Sequence, residues 1–515
     1  MPAAEIRPVV AGCHPDPSVC RVGEDHYLVT SSFTYFPGLP VHRSRDLVRW
    51  ERVGHVLADP DHVDLDGLDV SDGVWAPTIR HHDGLFYVVY TVAEDRRGRA
   101  TFVTTAADPA GPWSPPVRLD AEGIDPSLFF DVDGRAWFTA TRDALAADAT
   151  GPAEIYLREF DHQSLSLFGP TRVIWRGAVT GTWVEAPHLY RRGDVYHLLA
   201  AEGGTERNHA VTAATASAPT GPYTTDPRSP LLTHRHLGAG ASVQNVGHAD
   251  LVDTPTGDTW ALVLGVRPVD GAHNLGREVF LVPVSWEPEG PVFAPGVGAL
   301  TGPDDHAAGA DDAPADWVGL RGPVPHRWRG RDLSLAPAPD GLASRGRPAF
   351  LGRRQDRHRF AFAATVPAPA SPEKHAALVA FQNQDRFVSQ SVVRSADDVV
   401  VETVLWDGGA RTVLAERPGA DRQRLEIRSD GRSYAFGAVV GGDFEAHATV
   451  DARLLSTEDA GGFVGVLLGV AHQGPATTPW VTVEDVTYTG SWAGAPRPAG
   501  EPAPPSCAGR PGTGR

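Results

Sequence analysis

Apolar positions in the first half of the chain fall into short runs, each tied to the same kind of polar phrase. Runs at 19–22, 79, 128–130, 189–190 and 251–252 are each followed by a polar turn, four of the five carrying an Asp-Gly or Gly-Asp pair or close to one. An alternating aromatic and aliphatic stretch then follows, as in Phe86-Tyr87-Val88-Val89-Tyr90. Run, turn and period-two stretch spell strand, hairpin, strand. Ahead of the runs stand Pro15-Asp16-Pro17-Ser18, Trp75-Ala76-Pro77-Thr78, Ile124-Asp125-Pro126-Ser127 and Glu185-Ala186-Pro187-His188, with His248-Ala249-Asp250-Leu251 as a fifth copy that has lost its proline. Aligned on positions 17, 77, 126, 187 and 250, the copies lie 60, 49, 61 and 63 residues apart. Strand-and-turn repeats of about this length are the mark of a β-propeller. Because X-Pro biases the residue before it to extended geometry, the phrase is read as the turn that opens each inner strand. The rest of each repeat supplies two more strands, giving five blades of four.

The pattern changes at residues 302–316, which hold no large apolar side chain and read as a linker. Beyond it the phrase is gone, and alternating segments at 358–366, 377–381 and 463–470 predict a β-sandwich. Residues 493–515 are rich in Pro, Gly and Ala and read as a disordered tail. The expectation is an all-β chain: a propeller over 1–301, a linker over 302–316, a concanavalin-like sandwich over 317–492, then the tail. A length of 515 residues suits two or more domains.

A net charge of −18 argues against nucleic acid or an anionic membrane as partner and favours a small polar ligand. No apolar run approaches the roughly 20 residues of a membrane helix. Met1 to Arg7 show no basic stretch leading into an apolar one, so the expected location is cytoplasmic. Three cysteines make no disulfide framework, and Cys13 and Cys20 are expected as buried thiols. Monomer and homo-oligomer both stay open.

Inner strands of a propeller line its channel, so matching positions of different blades face one another. Asp16 and Asp125 share the column before the proline; Glu185 stands one place earlier, with Trp75 and His248. Asp-Pro alone is a common turn opener, and a lone Trp is more often core than a sugar platform. Their joint occurrence in register points instead to carboxylates converging on one site, where like charges raise one another's pKa. Glycoside hydrolysis uses such a set: one carboxyl protonates the leaving oxygen, and another carboxylate activates water or attacks the sugar.

The ordered motifs carry a resemblance. Cys13-His14-Pro15-Asp16-Pro17-Ser18, Trp75-Ala76-Pro77-Thr78, Gly123-Ile124-Asp125-Pro126-Ser127, Val184-Glu185-Ala186-Pro187-His188, Ala201-Glu202-Gly203-Gly204-Thr205, Gly247-His248-Ala249-Asp250 and Leu275-Gly276-Arg277-Glu278 resemble glycoside hydrolase family 43. Within it they are similar to the β-xylosidase and α-L-arabinofuranosidase branch with a C-terminal sandwich. The resemblance implies Asp16 as general base, Glu185 as general acid, and Asp125 orienting Glu185 and keeping it protonated by like charge. It implies Arg277 as a sugar-hydroxyl ligand, and Phe33 and Trp75 as walls of the terminal-sugar pocket. His248 resembles a histidine that in some relatives contacts calcium; a structural Ca2+ in the channel and a metal-free channel histidine stand as alternatives. Cys13 where an aromatic is usual, and Val-Glu-Ala-Pro for Pro-Glu-Gly-Pro, are departures beside the pocket. The implied activity is inverting exo-hydrolysis of terminal β-D-xylosyl residues from short xylo-oligosaccharides, with no redox or nucleotide cofactor. Arabinofuranosidase is the near alternative. A retaining mechanism and a non-catalytic carbohydrate-binding protein are the distant ones.

Overall fold

The computed structural model describes residues 6–94, 98–145, 151–301, 316–369, 375–394 and 398–492. Five four-stranded antiparallel sheets form the blades, each from one continuous stretch of chain. Their inner strands are Ser18–Val22, Gly73–His82, Ile124–Phe130, Val184–Arg192 and Gln244–Asp253. Each pairs through a tight polar turn with the next strand, as the Asp-Gly signals predict, for example His82 opposite Leu85 around Asp83-Gly84. Among the described residues, no blade is shared between the two ends of the ring. Instead Val9 and Val10 bridge Val279, in the third strand of the fifth blade, and close the circle.

The repeated phrase does not open the inner strands; in blades two to five it lies inside them, as a β-bulge. Ala76-Pro77, Asp125-Pro126, Ala186-Pro187 and His248-Ala249 each set two residues against one on the neighbouring strand. The bulge's first residue is left-handed in each of these blades, Ala76 (φ 40°), Asp125 (53°), Ala186 (52°) and His248 (50°), as is Asp16 (58°) at the matching position just ahead of the first inner strand. This corrects the fifth copy by one residue. Asp250 pairs with Leu262 as Ser127 pairs with Thr139, so it belongs with Ser18, Thr78, Ser127 and His188. His248 therefore shares the column of Asp16 and Asp125, not that of Trp75 and Glu185.

The column after the bulge ties the ring at its axis. Asp250, fully buried, accepts hydrogen bonds from Ser18 Oγ (2.7 Å), Val19 N (3.0 Å), Tyr190 Oη (2.5 Å) and both Nη atoms of Arg80 (2.8 and 3.2 Å). Arg80 also meets His188 Nδ1 at 3.1 Å, which lies 3.0 Å from Ser127 Oγ. All five blades thus touch one polar network. Burial raises the Asp250 carboxyl, but Arg80 and its other partners hold it well below the usual carboxylate range.

Two seven-stranded sheets make the C-terminal sandwich, with Leu351, Phe362, Leu378, Ile427, Phe436 and Leu468 among the side chains between them. The expected segments at 358–366 and 377–381 are the strands Arg359–Pro367 and His375–Asn383. The segment at 463–470 is a strand only from Leu467 (Leu467–Gln473), because the positive φ of Gly461 and Gly462 turns the chain before it toward the propeller. The propeller's Tyr35 and Phe36 add an eighth strand at the edge of one of these sheets by pairing with Leu320 and Gly319. A shared apolar cluster of Cys13, Phe33, Tyr35 and Val70 with Val318, Phe350, Phe381 and Leu467 joins the two domains.

Most of the expected linker and the whole expected tail lie outside the described residues. Asp316, placed in the linker, is held by Arg52 (2.6 Å) and Arg354 (2.7 Å) and belongs to the folded part. Cys13 and Cys20 are buried thiols. Among the described residues, no helix is long and apolar enough to cross a membrane.

Candidate active site

Asp16, just ahead of the first inner strand, comes together with Asp125 and Glu185 at the bulged ends of two others. A bulge bends its strand and re-aims side chains, so residues that a regular strand would send to opposite faces converge. The left-handed backbone of Asp16 and Asp125 is tolerated better by Asp than by most residues. Glu185 stands directly before its bulge, opposite Ala201, as Trp75 stands opposite Thr91.

Asp16 is buried and heavily supported. Its Oδ1 accepts from Arg277 Nη1 at 2.9 Å and lies 3.6 Å from His248 Nδ1; its Oδ2 accepts from Ser31 Oγ at 2.6 Å. Burial pushes the carboxyl up, but Arg277, His248 and Ser31 outweigh that and hold it below its ordinary value. Ser31 is itself fixed, accepting from Ala76 N at 2.7 Å. Arg277 Nη1 also donates to Thr205 Oγ1 at 3.2 Å.

The other two carboxyls are driven the opposite way. Glu185, only partly buried, is raised to about 7 by burial and then by the Asp16 charge, against the opposing pull of Arg277. Asp125 is also raised, by burial and then by Glu185 and Asp16, although its Oδ2 accepts from Ala186 N at 3.1 Å. Asp125 and Glu185 repel one another as a pair, and the Asp16 charge adds to the upward push on both. Asp125 grips the backbone just after Glu185, which is an orienting contact.

Phe33 lies lower than a pocket wall. It is 2% exposed, bridges Val74, and carries the Arg277 guanidinium 6.0 Å above its ring. Gly73 permits that bridge, since a Cβ there would stand 2.4 Å from the Phe33 carbonyl oxygen. Trp75 is half-buried, and its indole donates to Ser71 O at 2.9 Å. Cys13 packs behind Gly276, next to the backbone of Arg277, so that departure from the family pattern supports the arginine from below.

Sequence reading missed Phe463. The sandwich loop carrying it crosses to the propeller, where Phe463 N donates to Ser71 Oγ at 3.0 Å. Its ring meets Trp75 edge-on at 5.9 Å, lies 5.8 Å from the Arg277 guanidinium, and is 40% exposed. Gly465 lets the loop sit so close, because a Cβ there would come within 2.6 Å of the Leu275 carbonyl carbon. Trp183, which hydrogen-bonds Glu185, was missed as well. Neither position shows a local sequence signal.

His248 is buried beside Asp16, and burial lowers its pKa against the opposing pull of the Asp16 charge. Calcium asks for six to eight oxygen ligands. Both oxygens of Asp16 are already engaged, those of Asp250 are saturated, and the Arg80 guanidinium occupies the axis with its own positive charge. The residues present do not make a calcium cage, and no chemical step is assigned to a metal here.

The arrangement sets a carboxyl held below its ordinary value beside two that are raised, with Arg277 acting on both Asp16 and Glu185, the equipment of acid–base glycoside hydrolysis. Comparison with known proteins agrees. The description "Glycosyl hydrolases family 43" matches residues 6–292, and "Beta xylosidase C-terminal Concanavalin A-like domain" matches 308–489. A xylosidase/arabinosidase of Butyrivibrio fibrisolvens is 35% identical over 90% of this chain and 94% of its own. A non-reducing end alpha-L-arabinofuranosidase of Bacteroides ovatus is 33% identical over 92% of this chain and 93% of its own. The crystal structure of a xylan beta-1,4-xylosidase from Bacillus halodurans superposes with a TM-score of 0.84 at 30% identity, covering 94% of this chain and 99% of that one. The chain belongs to glycosyl hydrolases family 43, with the concanavalin A-like C-terminal domain of its β-xylosidases.

Proposed function

We propose that this glycoside hydrolase removes terminal β-D-xylosyl residues from short xylo-oligosaccharides with inversion. The carrying observation is that two neighbouring carboxyls are driven in opposite directions: Asp16 is held below its ordinary value and Glu185 is raised to about 7. Asp16 takes a proton from water as that water attacks the anomeric carbon. Glu185 gives its proton to the departing oxygen. The glycosidic bond breaks, and each carboxyl ends in the protonation state the other began with. Inversion requires the two carboxyls to stand about 6.5–9.5 Å apart, leaving room for the water. Asp125 positions Glu185, and Arg277 shares its fork between Asp16 and the sugar hydroxyls. Phe463 and Trp75 narrow the mouth, which favours a single terminal residue over an internal one.

The second reading is α-L-arabinofuranosidase action at the same site, favoured by the names of relatives similar to this chain over nine-tenths of its length. A panel of nitrophenyl glycosides compared by kcat/KM tests both. The proposal expects β-D-xyloside first. A dominant α-L-arabinofuranoside rate moves the assignment to the second reading, and no release from any pentoside overturns both. The chemistry needs only these carboxyls and water, and we place the enzyme in the cytoplasm with soluble oligosaccharide as its partner.

A further inference from the structure

Away from the catalytic recess, the inner strand Gly73–His82 ends in the turn at Asp83, and the strand Ala153–Asp161 ends in a turn that begins with His162. Both turns lie at the end of the propeller opposite the bulges, because each strand runs from the catalytic face toward it. There the ligand atoms of His82, Asp83 and His162 all lie within 4.8 Å of one another. Among the described residues this is the one group of three His, Cys, Asp or Glu side chains with such spacing. His82 Nε2 stands 3.4 Å from Asp83 Oδ2. Two donors each bound at about 2.1 Å to a tetrahedral ion stand about 3.4 Å apart.

The rings are held in place before any ion arrives. His82 stacks on Phe130 at 4.3 Å with 14° between planes, and His162 meets both rings edge-on, at 5.2 Å from His82 and 6.0 Å from Phe130. The turn carrying His162 is rigid: Asp161 accepts from Gln163 N (2.9 Å), Ser164 N (3.3 Å) and Ser164 Oγ (2.7 Å). A plain His82–Asp83 ion pair accounts for two of the donors. It does not account for a second imidazole clamped against the same phenyl ring from the neighbouring blade.

We propose that His82, Asp83 and His162 form a Zn2+-type transition-metal site that clips the second blade to the third. Two imidazole nitrogens and one carboxylate suit Zn2+, Co2+ or Ni2+, and calcium and magnesium prefer all-oxygen sets. Water completes the shell, since the site opens to solvent on the Asp83 side, where that side chain is 76% exposed. An ion bound only by the folded chain stabilises it by mass action, so the site acts as a metal-dependent fastener, separate from the hydrolytic chemistry.

The test uses the full chain, stripped with chelator and titrated with ZnCl2 in a calorimeter, with thermal unfolding measured alongside. One Zn2+ binds per chain and raises Tm, and Co2+ in its place gives the intense visible bands of a low-coordinate site. Loss of even an outer-shell partner weakens metal sites about 10–100-fold, so His162→Gln weakens binding at least about tenfold, as does Asp83→Asn. Both substitutions fall on solvent-facing turns, and the variants' Tm without metal checks that they fold. Absence of saturable Zn2+ binding overturns the proposal. So does equal affinity in wild type and His162→Gln, or Ca2+ binding as tight as Zn2+.

Discussion

Replacing Arg277 by Ala tests the electrostatics that divide the carboxyl roles. In the wild type, Asp16 must be ionised to take a proton, so kcat/KM is lost as pH falls through its lowered pKa. Glu185 must be protonated to give one, so activity is present below about 7 and lost as pH rises through that value. Arg277 Nη1 sits 2.9 Å from Asp16 Oδ1. With charge centres about 4 Å apart and an effective dielectric near 20, the attraction is about 4 kcal/mol. At about 1.4 kcal/mol per pKa unit this sets a ceiling near 3 units, and carboxylates beside arginines usually show about 1–3. Arg277→Ala therefore raises the acid limb of the kcat/KM profile by about 1–3 units. It also raises the alkaline limb, because Arg277 opposes the upward shift of Glu185. The optimum moves to higher pH as a whole. Arg277→Lys restores the charge and returns the limbs toward their wild-type positions, without restoring the planar guanidinium. The assay is nitrophenyl β-D-xyloside hydrolysis across about pH 3 to 9, read as macroscopic limbs. A uniform drop in rate with both limbs unmoved would refute the reasoning and leave Arg277 as a sugar ligand alone.

Other substitutions separate the remaining roles. Glu185→Ala lowers kcat about 10²–10⁴-fold on xylobiose, whose leaving group needs a proton, and far less on activated aryl xylosides; Asp16→Ala lowers both alike. Phe463→Ala removes an edge-on aromatic contact with Trp75 worth about 0.5–1.5 kcal/mol to the fold and loosens the Trp75 side of the site, so KM for short xylosides rises while the pH limbs stay in place. Asp250→Ala leaves Arg80 buried without its anion, costing about 3–5 kcal/mol, which lowers Tm by on the order of 10 °C. An unchanged Tm would show that the axial network is not what ties the blades.

The carboxyl set was legible because a propeller makes sequence columns into spatial neighbours. Asp16, Asp125 and Glu185 needed only the repeat and its proline to be aligned. The bulge itself was not legible: Ala76, Ala186 and His248 adopt the left-handed backbone without glycine at those positions, so nothing in composition marks it. That is why the fifth copy slipped by one residue, with Asp250 taken for the missing proline instead of the axial anion. Phe463 was hidden for another reason. Its place depends on Gly461 and Gly462 turning the loop and on Gly465 closing against Leu275, contacts between positions far apart in the chain. Arg277 was visible by resemblance alone, and Ser31, which fixes both Asp16 and Ala76, looked like any serine at the end of a strand.

The central claim is that Asp16 activates water for direct displacement while Glu185 protonates the leaving oxygen. Proton NMR of the first sugar released from a β-D-xyloside, recorded before mutarotation, tests it most directly. The account predicts α-xylose as the first-formed anomer. Initial release of β-xylose would contradict it, by making Asp16 a nucleophile and the reaction a double displacement.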